Sequence, residues 1–167
     1  MNAHIQGTYK KMFYFPPTLI LRHKRENLKK CSLSGLENRS DFIFLTYPLP
    51  KLPNLDQYCI LTLDAPQLSL EDANRGLFLM DGTWRYARLM SKIIPTQGNH
   101  IYRSLPPHFQ TAYPRRQPDC PDPKRGLASI EALYAAYSIL ERPTEGLLDR
   151  YHWKEEFLSQ KVLNQVK

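Results

Sequence analysis

Apolar residues in this chain fall into short blocks separated by charged or proline-rich connections, and the blocks show two periods. Residues 18–21, 41–47, 58–63 and 77–80 are brief runs rich in aliphatic, aromatic and β-branched side chains, as strands require. Residues 101–107 make a further short extended piece. Residues 83–90 read as a helix with Tyr86, Leu89 and Met90 inward, Arg85 and Arg88 accessible, and Pro95 beyond its end. Residues 126–140 carry a stripe of Ile130, Leu133, Tyr134, Tyr137 and Leu140 with alanines between, and residues 145–166 place Leu147, Tyr151, Leu158 and Val162 at helical intervals. A short helix is also expected within residues 22–36, through Leu28, Cys31 and Leu33 or Leu36, and a brief one in 65–75 behind the capping pattern of Ser69, Glu71 and Asp72. Continuous apolar strands interleaved with helices predict an α/β domain whose mainly parallel sheet is flanked by helices.

The stretch LFLMDGTWRYARLM, residues 77–90, joins one such strand to one such helix through a tight turn. Asp81 then stands at the carboxyl end of a buried strand, where ligands bind in open α/β sheets, and the helix that follows aims its amino terminus at the same crevice. Read without a ligand, Asp81 and Gly82 are turn residues, Thr83 a helix cap and Trp84 a core residue. Residues 111–125 are too rich in proline for helix or central strand and must form a long loop, a kind of segment that is usually functional or disordered, and its four basic residues favour binding.

The length of 167 residues suits one domain, read here as a loose basic arm over residues 1–15 and a folded domain over 16–167. The formal charge of +7 narrows the partner to a polyanion, nucleic acid before an anionic membrane surface. That charge is concentrated around Arg22, His23, Lys24, Arg25, Lys29 and Lys30 and again around Arg115, Arg116, Lys124 and Arg125. Cys31, Cys59 and Cys120 are widely spaced and odd in number, so reduced thiols are expected, and no cysteine or histidine spacing suggests a metal. No run approaches the roughly 20 apolar residues needed to cross a bilayer, and residues 1–11 lack a secretory apolar core, so a cytoplasmic protein is expected.

DGTW fits a DxTW tetrad, and with RYARLM it resembles the signature of the DTW-domain family, tRNA-uridine aminocarboxypropyltransferase-like enzymes related to the ribosomal RNA aminocarboxypropyltransferases of ribosome biogenesis. LRHKRENLKKCSLSGL resembles the family segment in which a strand ends in His followed by Glu, here His23 and Glu26. AYPRRQ and then LASIEALYAA resemble its basic stretch and the helix start after it, with Tyr113, Arg115, Arg116, Ser129 and Glu131 at the matching positions. Two departures stand out: ASIEA replaces the usual LSTLEA pattern, keeping Ser and Glu but losing Thr, and no cysteine-rich segment precedes the first strand.

The resemblance implies a SPOUT-like single-domain α/β fold, knotted near the carboxyl terminus, that holds S-adenosylmethionine and moves its 3-amino-3-carboxypropyl group to a uridine ring nitrogen of structured RNA. Asp81 and Trp84 are then the catalytic candidates, Asp81 by assisting loss of the imide proton or orienting the base, Trp84 by stacking on the base or walling the cofactor pocket. Asp81, Gly82, Thr83, Ser129 and Glu131 are the cofactor-binding candidates, and Arg22, His23, Arg88, Arg115, Arg116, Lys124 and Arg125 the RNA-binding ones. The substrate expected is tRNA before ribosomal RNA. A methyltransferase of the same fold and a noncatalytic RNA-binding module are the rival readings.

Overall fold

The computed structural model describes residues 14–114 and 120–165. Most of the expected amino-terminal arm, and Arg115 and Arg116 with it, lie outside those residues. Among the described residues five strands, β1 (Thr18–His23), β2 (Phe42–Tyr47), β3 (Tyr58–Leu61), β4 (Gly76–Asp81) and β5 (Ile101–Arg103), line up in the order β2-β1-β4-β3-β5 with every neighbouring pair parallel. The expectation of a mainly parallel α/β sheet is therefore met by a wholly parallel one. Every residue of β1 is buried, as are those of β3, because a parallel sheet is covered on both faces.

The period of two divides the strands between two cores. Leu19 and Leu21 of β1 join Ile60 and Phe78 on one face, while Ile20 joins Cys59, Leu77 and Leu79 on the other. The first face is covered by α1 (Trp84–Ser91), whose Met90 packs there with Leu52, Leu55 and Ile94. Thr83 caps this helix, its hydroxyl accepting the Tyr86 amide at 3.3 Å. The second face is covered by α2 (Ser129–Ile139) and α3 (Lys154–Gln165), through Ile130, Leu133, Tyr137 and Phe157. Removing Ile130 and Leu133 entirely from water stabilises by about 1.5–3 kcal/mol each. Ala132, Ala135 and Ala136 let the α2 backbone approach closely, and the helix is buried over Ile130–Leu133 and again over Ala135–Tyr137.

Three expectations are corrected. Residues 24–35 form successive turns instead of a helix, with a single 3-10 turn at Leu36–Asn38. Cys31, Leu33 and Leu36 are all buried from that irregular path, the Asn27 side chain accepts the Lys29 amide in a local turn, and Gly35 sits at φ +97°, which stops any helix. The carboxyl-terminal helix starts at Lys154 and not at 145, because Gly146 takes φ +77° and Leu147, Leu148 and Tyr151 are all drawn into the core from turns. Leu89, expected to be inside, is 39% exposed, since the sheet side of α1 is occupied by Tyr86 and Met90. The brief helix in 65–75 is a 3-10 turn, Leu70–Asp72, in which the Asp72 carboxylate reaches back to the Ser69 amide.

Candidate active site

Register in the sheet places Arg22 of β1 beside Asp81 of β4, at the carboxyl ends of both strands. The guanidinium donates from Nε to Asp81 Oδ2 at 3.1 Å and from Nη1 to Glu37 at 3.1 Å, and it lies 4.5 Å over the Phe44 ring. Cys31 Sγ donates to the same Oδ2 at 3.3 Å, and Ser129 Oγ donates to Oδ1 at 2.7 Å. Asp81 is 4% exposed, so its carboxylate is enclosed by donors from β1, the loop after β1, and α2. Burial works against the Arg22 charge, but Cys31, Asp81 and Glu37 outweigh it and raise its pKa. Burial, and then the charge of Asp81, pushes the Cys31 thiol up to about 12, which keeps it a donor. Glu26, half-buried nearby, is also raised by burial and by Asp81.

In front of this cluster a cavity of about 360 Å³ opens at the carboxyl ends of β3 and β4. Leu79, Met80, Trp84, Phe109 and Leu127 give it apolar walls, Ala87 and Ala132 keep it wide, and Ser129 supplies a hydroxyl. Asp64 and Arg88, both exposed, and Arg125, half-buried, are its charged members. Arg125 donates from Nη2 to the Leu63 carbonyl at 2.7 Å, while its buried Nε has no hydrogen-bond partner among the described residues. Gly126 is required beside it: a Cβ there would lie 2.7 Å from Cys120 Sγ and 3.2 Å from the Trp84 ring. Such a pocket, mostly apolar with a few convergent polar groups, is the usual form of a small-molecule site.

Glu131 is wholly buried one turn into α2, and its oxygens are fully used. Oε1 accepts the Ala112 amide at 2.8 Å and the Tyr151 hydroxyl at 2.9 Å; Oε2 accepts the Thr111 hydroxyl and the Ala128 amide, each at 2.8 Å. Ala128 has no side chain with which to cap α2, so Glu131 satisfies the amide from within the helix. The same carboxylate ties the long loop and the carboxyl-terminal segment to the helix that borders the cavity.

The fold thus brings Gly82, Trp84, Arg88, Arg125 and Ser129 to one cavity. It puts Thr83 at the helix cap, Asp81 behind the cavity and Glu131 beneath it. Lys124 is exposed on the loop. Arg22 is corrected as a phosphate ligand: it is 8% exposed and its guanidinium is engaged by Asp81, Glu37 and Cys31. His23 is 7% exposed and stacked on Tyr86, with centroids 3.7 Å apart. Sequence reasoning missed Cys31, Glu37, Asp64 and Phe109. Asp64 had a readable signal, since it follows β3 as Asp81 ends β4; Cys31 and Glu37 had none, because only the irregular path of residues 24–38 brings them inward.

Among the described residues no three His, Cys, Asp or Glu side chains gather as a metal site needs, all three cysteines are free and buried, and no helix is long and apolar enough to cross a membrane. The architecture is that of an α/β protein with a cavity at the carboxyl edge of a parallel sheet flanked by helices. No protein-family model matches the sequence, and neither does any curated protein. Among solved structures the chain is similar to the SAM-dependent rRNA:acp-transferase Tsr3 from Vulcanisaeta distributa, with 25% identity and a TM-score of 0.65 over 90% of this chain and 82% of that one.

Proposed function

We propose that this protein transfers the 3-amino-3-carboxypropyl group of S-adenosylmethionine to a uridine-type base nitrogen in structured RNA, as a DTW-type enzyme. The observation that carries the reading is the cavity between Trp84 and Ser129, set at the strand ends of a fold similar to an S-adenosylmethionine-dependent acp-transferase. The residues suit that cofactor. The apolar walls fit a flat adenine, the Asp64 carboxylate suits hydroxyls or an ammonium group, and the unused Arg125 Nε suits a carboxylate. Held by these residues, S-adenosylmethionine would supply an activated electrophile, the arm carbon beside sulfur, with methylthioadenosine as the group that would leave as the base nitrogen took its place.

The chain's own task is to hold and orient, because the electrophile comes already activated. Ser129 is fixed toward the cavity by Asp81, which Arg22 and Cys31 fix in turn. Asp81 accordingly serves as a positioning residue, since both oxygens accept from protein donors and it is 4% exposed; the imide proton is left to solvent or to a group nearer the mouth. Glu131 holds loop residues 111 and 112 and does not contact the cofactor. Arg88, exposed on α1, and Lys124, exposed on the loop, remain candidates for phosphate, with Arg115 and Arg116 following from the resemblance. The knot is part of the same reading.

Likeness to an rRNA enzyme moves ribosomal RNA ahead of tRNA as the substrate to test. Purified protein incubated with separated ribosomal and transfer RNA and with S-adenosylmethionine labelled on the aminocarboxypropyl carbons should label the ribosomal fraction and release methylthioadenosine. Trp84→Ala and Ser129→Ala should lower the yield. Label arriving only from the methyl group, with S-adenosylhomocysteine as product, would make the protein a methyltransferase. No label from either cofactor would leave an RNA-binding module.

A further inference from the structure

Helix α1 has a second binding face. Trp84, Ala87 and Arg88 border the cofactor cavity, whereas Arg85, Tyr86 and Leu89 border a separate depression of about 350 Å³ at the carboxyl ends of β1 and β2. At 100° per residue the two sets lie about 150° apart around the helix. Gly82 belongs to the wall of the first and abuts the second, where the Cβ atoms of His23 and Tyr86 lie 3.5 and 3.4 Å from the position a Gly82 Cβ would take. One turn of backbone therefore separates the two spaces.

The second depression is built of flat rings and unneutralised cations. His23 and Tyr86 stack with centroids 3.7 Å apart and planes 4° from parallel, and Tyr47 tilts against His23 at 5.6 Å. Leu89 adds an exposed apolar edge. Lys24, Arg25 and Arg85 are exposed around these rings, and none forms an ion pair among the described residues. Surface cations on this protein do find carboxylates elsewhere, as Arg39 does with Asp41 and Arg103 with Asp72. Three cations without anions beside a ring stack match the chemistry of a nucleotide, whose phosphates take the charges and whose base takes the aromatic and aliphatic wall. An acidic peptide would use the charges but leave the rings without a planar partner.

We propose that this depression is a second nucleotide subsite, in which a base flanking the target in the RNA strand packs against Tyr47, Tyr86 and Leu89 while Lys24, Arg25 and Arg85 hold its neighbouring phosphates. It deepens the RNA-transferase reading and rests on it for the choice of RNA. A strand anchored here crosses α1 past Arg85 and Arg88 to the cofactor cavity, so the subsite sets which nucleotide arrives there.

The test uses the full chain and a ten-nucleotide RNA carrying 4-thiouridine. Irradiation followed by peptide mapping should put the adduct on Tyr47 or Tyr86. In fluorescence anisotropy the combined Lys24→Ala, Arg25→Ala and Arg85→Ala variant should bind this RNA at least about tenfold more weakly, with the slope of log affinity against log salt reduced by about 2, at roughly 0.7 per lost phosphate contact. All three side chains are exposed, so the melting temperature and the calorimetric affinity for S-adenosylmethionine should be those of the unaltered protein. Unchanged RNA affinity and slope in the variant, adducts confined to residues outside the depression, or no binding of the RNA by the unaltered protein would each overturn the subsite. A protein that is crosslinked at Tyr47 but binds no S-adenosylmethionine would instead keep the subsite and overturn the transferase reading.

Discussion

Replacing Glu131 by Gln changes one atom and separates a structural role for this residue from direct cofactor binding. All four partners of the carboxylate are donors, and each oxygen accepts one backbone amide and one hydroxyl: Ala112 and Tyr151 on Oε1, Ala128 and Thr111 on Oε2. A glutamine has one oxygen and one NH2. The hydroxyls can turn to accept from the NH2, but the backbone amides cannot, so either orientation sets an N–H against an N–H. One buried amide left unsatisfied costs about 1–3 kcal/mol, and the bonds that survive lose the strength a charged acceptor gave them, about 1 kcal/mol apiece. The sum, about 3–5 kcal/mol, is a large share of the 5–15 kcal/mol typical of a whole domain. In urea, with a slope of about 2–3 kcal/mol/M, the unfolding midpoint should fall by about 1–2 M. Glu131→Ala should fall at least as far, having no acceptor at all. A Gln variant that keeps its midpoint but no longer binds S-adenosylmethionine would refute the reasoning and make Glu131 a cofactor ligand.

The other expectations are independent of that one. Gly76→Ala should lose about 1–3 kcal/mol, because the added Cβ would stand 2.3 Å from a Tyr58 ring carbon inside the sheet, and differential scanning calorimetry should show the drop in melting temperature; an unchanged melting point contradicts the close approach. Burial, then the charges of Arg25 and Lys24, hold the His23 pKa below its usual value of 6.5. Below about pH 6.5 the unfolded chain therefore takes up a proton that the folded one resists, so stability falls as pH drops. Urea midpoints should decline more between pH 7.5 and 5.5 for the unaltered protein than for His23→Gln; equal declines would remove His23 from the account. With its thiol at about 12, Cys31 is ionised to about one part in ten thousand at pH 8, so a thiol reagent followed by peptide mapping should modify it only after unfolding. Rapid labelling of Cys31 in the folded protein would mean that the Asp81 cluster opens.

Pattern along the chain was enough to find the strands, the strand–turn–helix unit around Asp81, the cap at Thr83 and the buried stripe of α2, because each depends on neighbours a few residues away. It also singled out, through their motifs, Trp84 and Ser129, which the fold brings to the wall of one cavity. It misassigned residues 24–35, where burial of Cys31 and Leu33 by turns overrides a loosely helical spacing, and residues 145–153, where Gly146 and the tie from Tyr151 to Glu131 do the same. Arg22 was misread for a different reason. Within the sequence it heads a basic run and looks like a phosphate ligand; in the fold it is opposite Asp81, 59 residues away, because β1 and β4 are neighbours in the sheet. Asp81 likewise changes from a group facing substrate to one enclosed by Arg22, Cys31 and Ser129. Local spacing determines which residues form an element and which side of it is apolar. Which charges meet is decided by strand order and register, and those are settled only when the separate apolar faces are buried together.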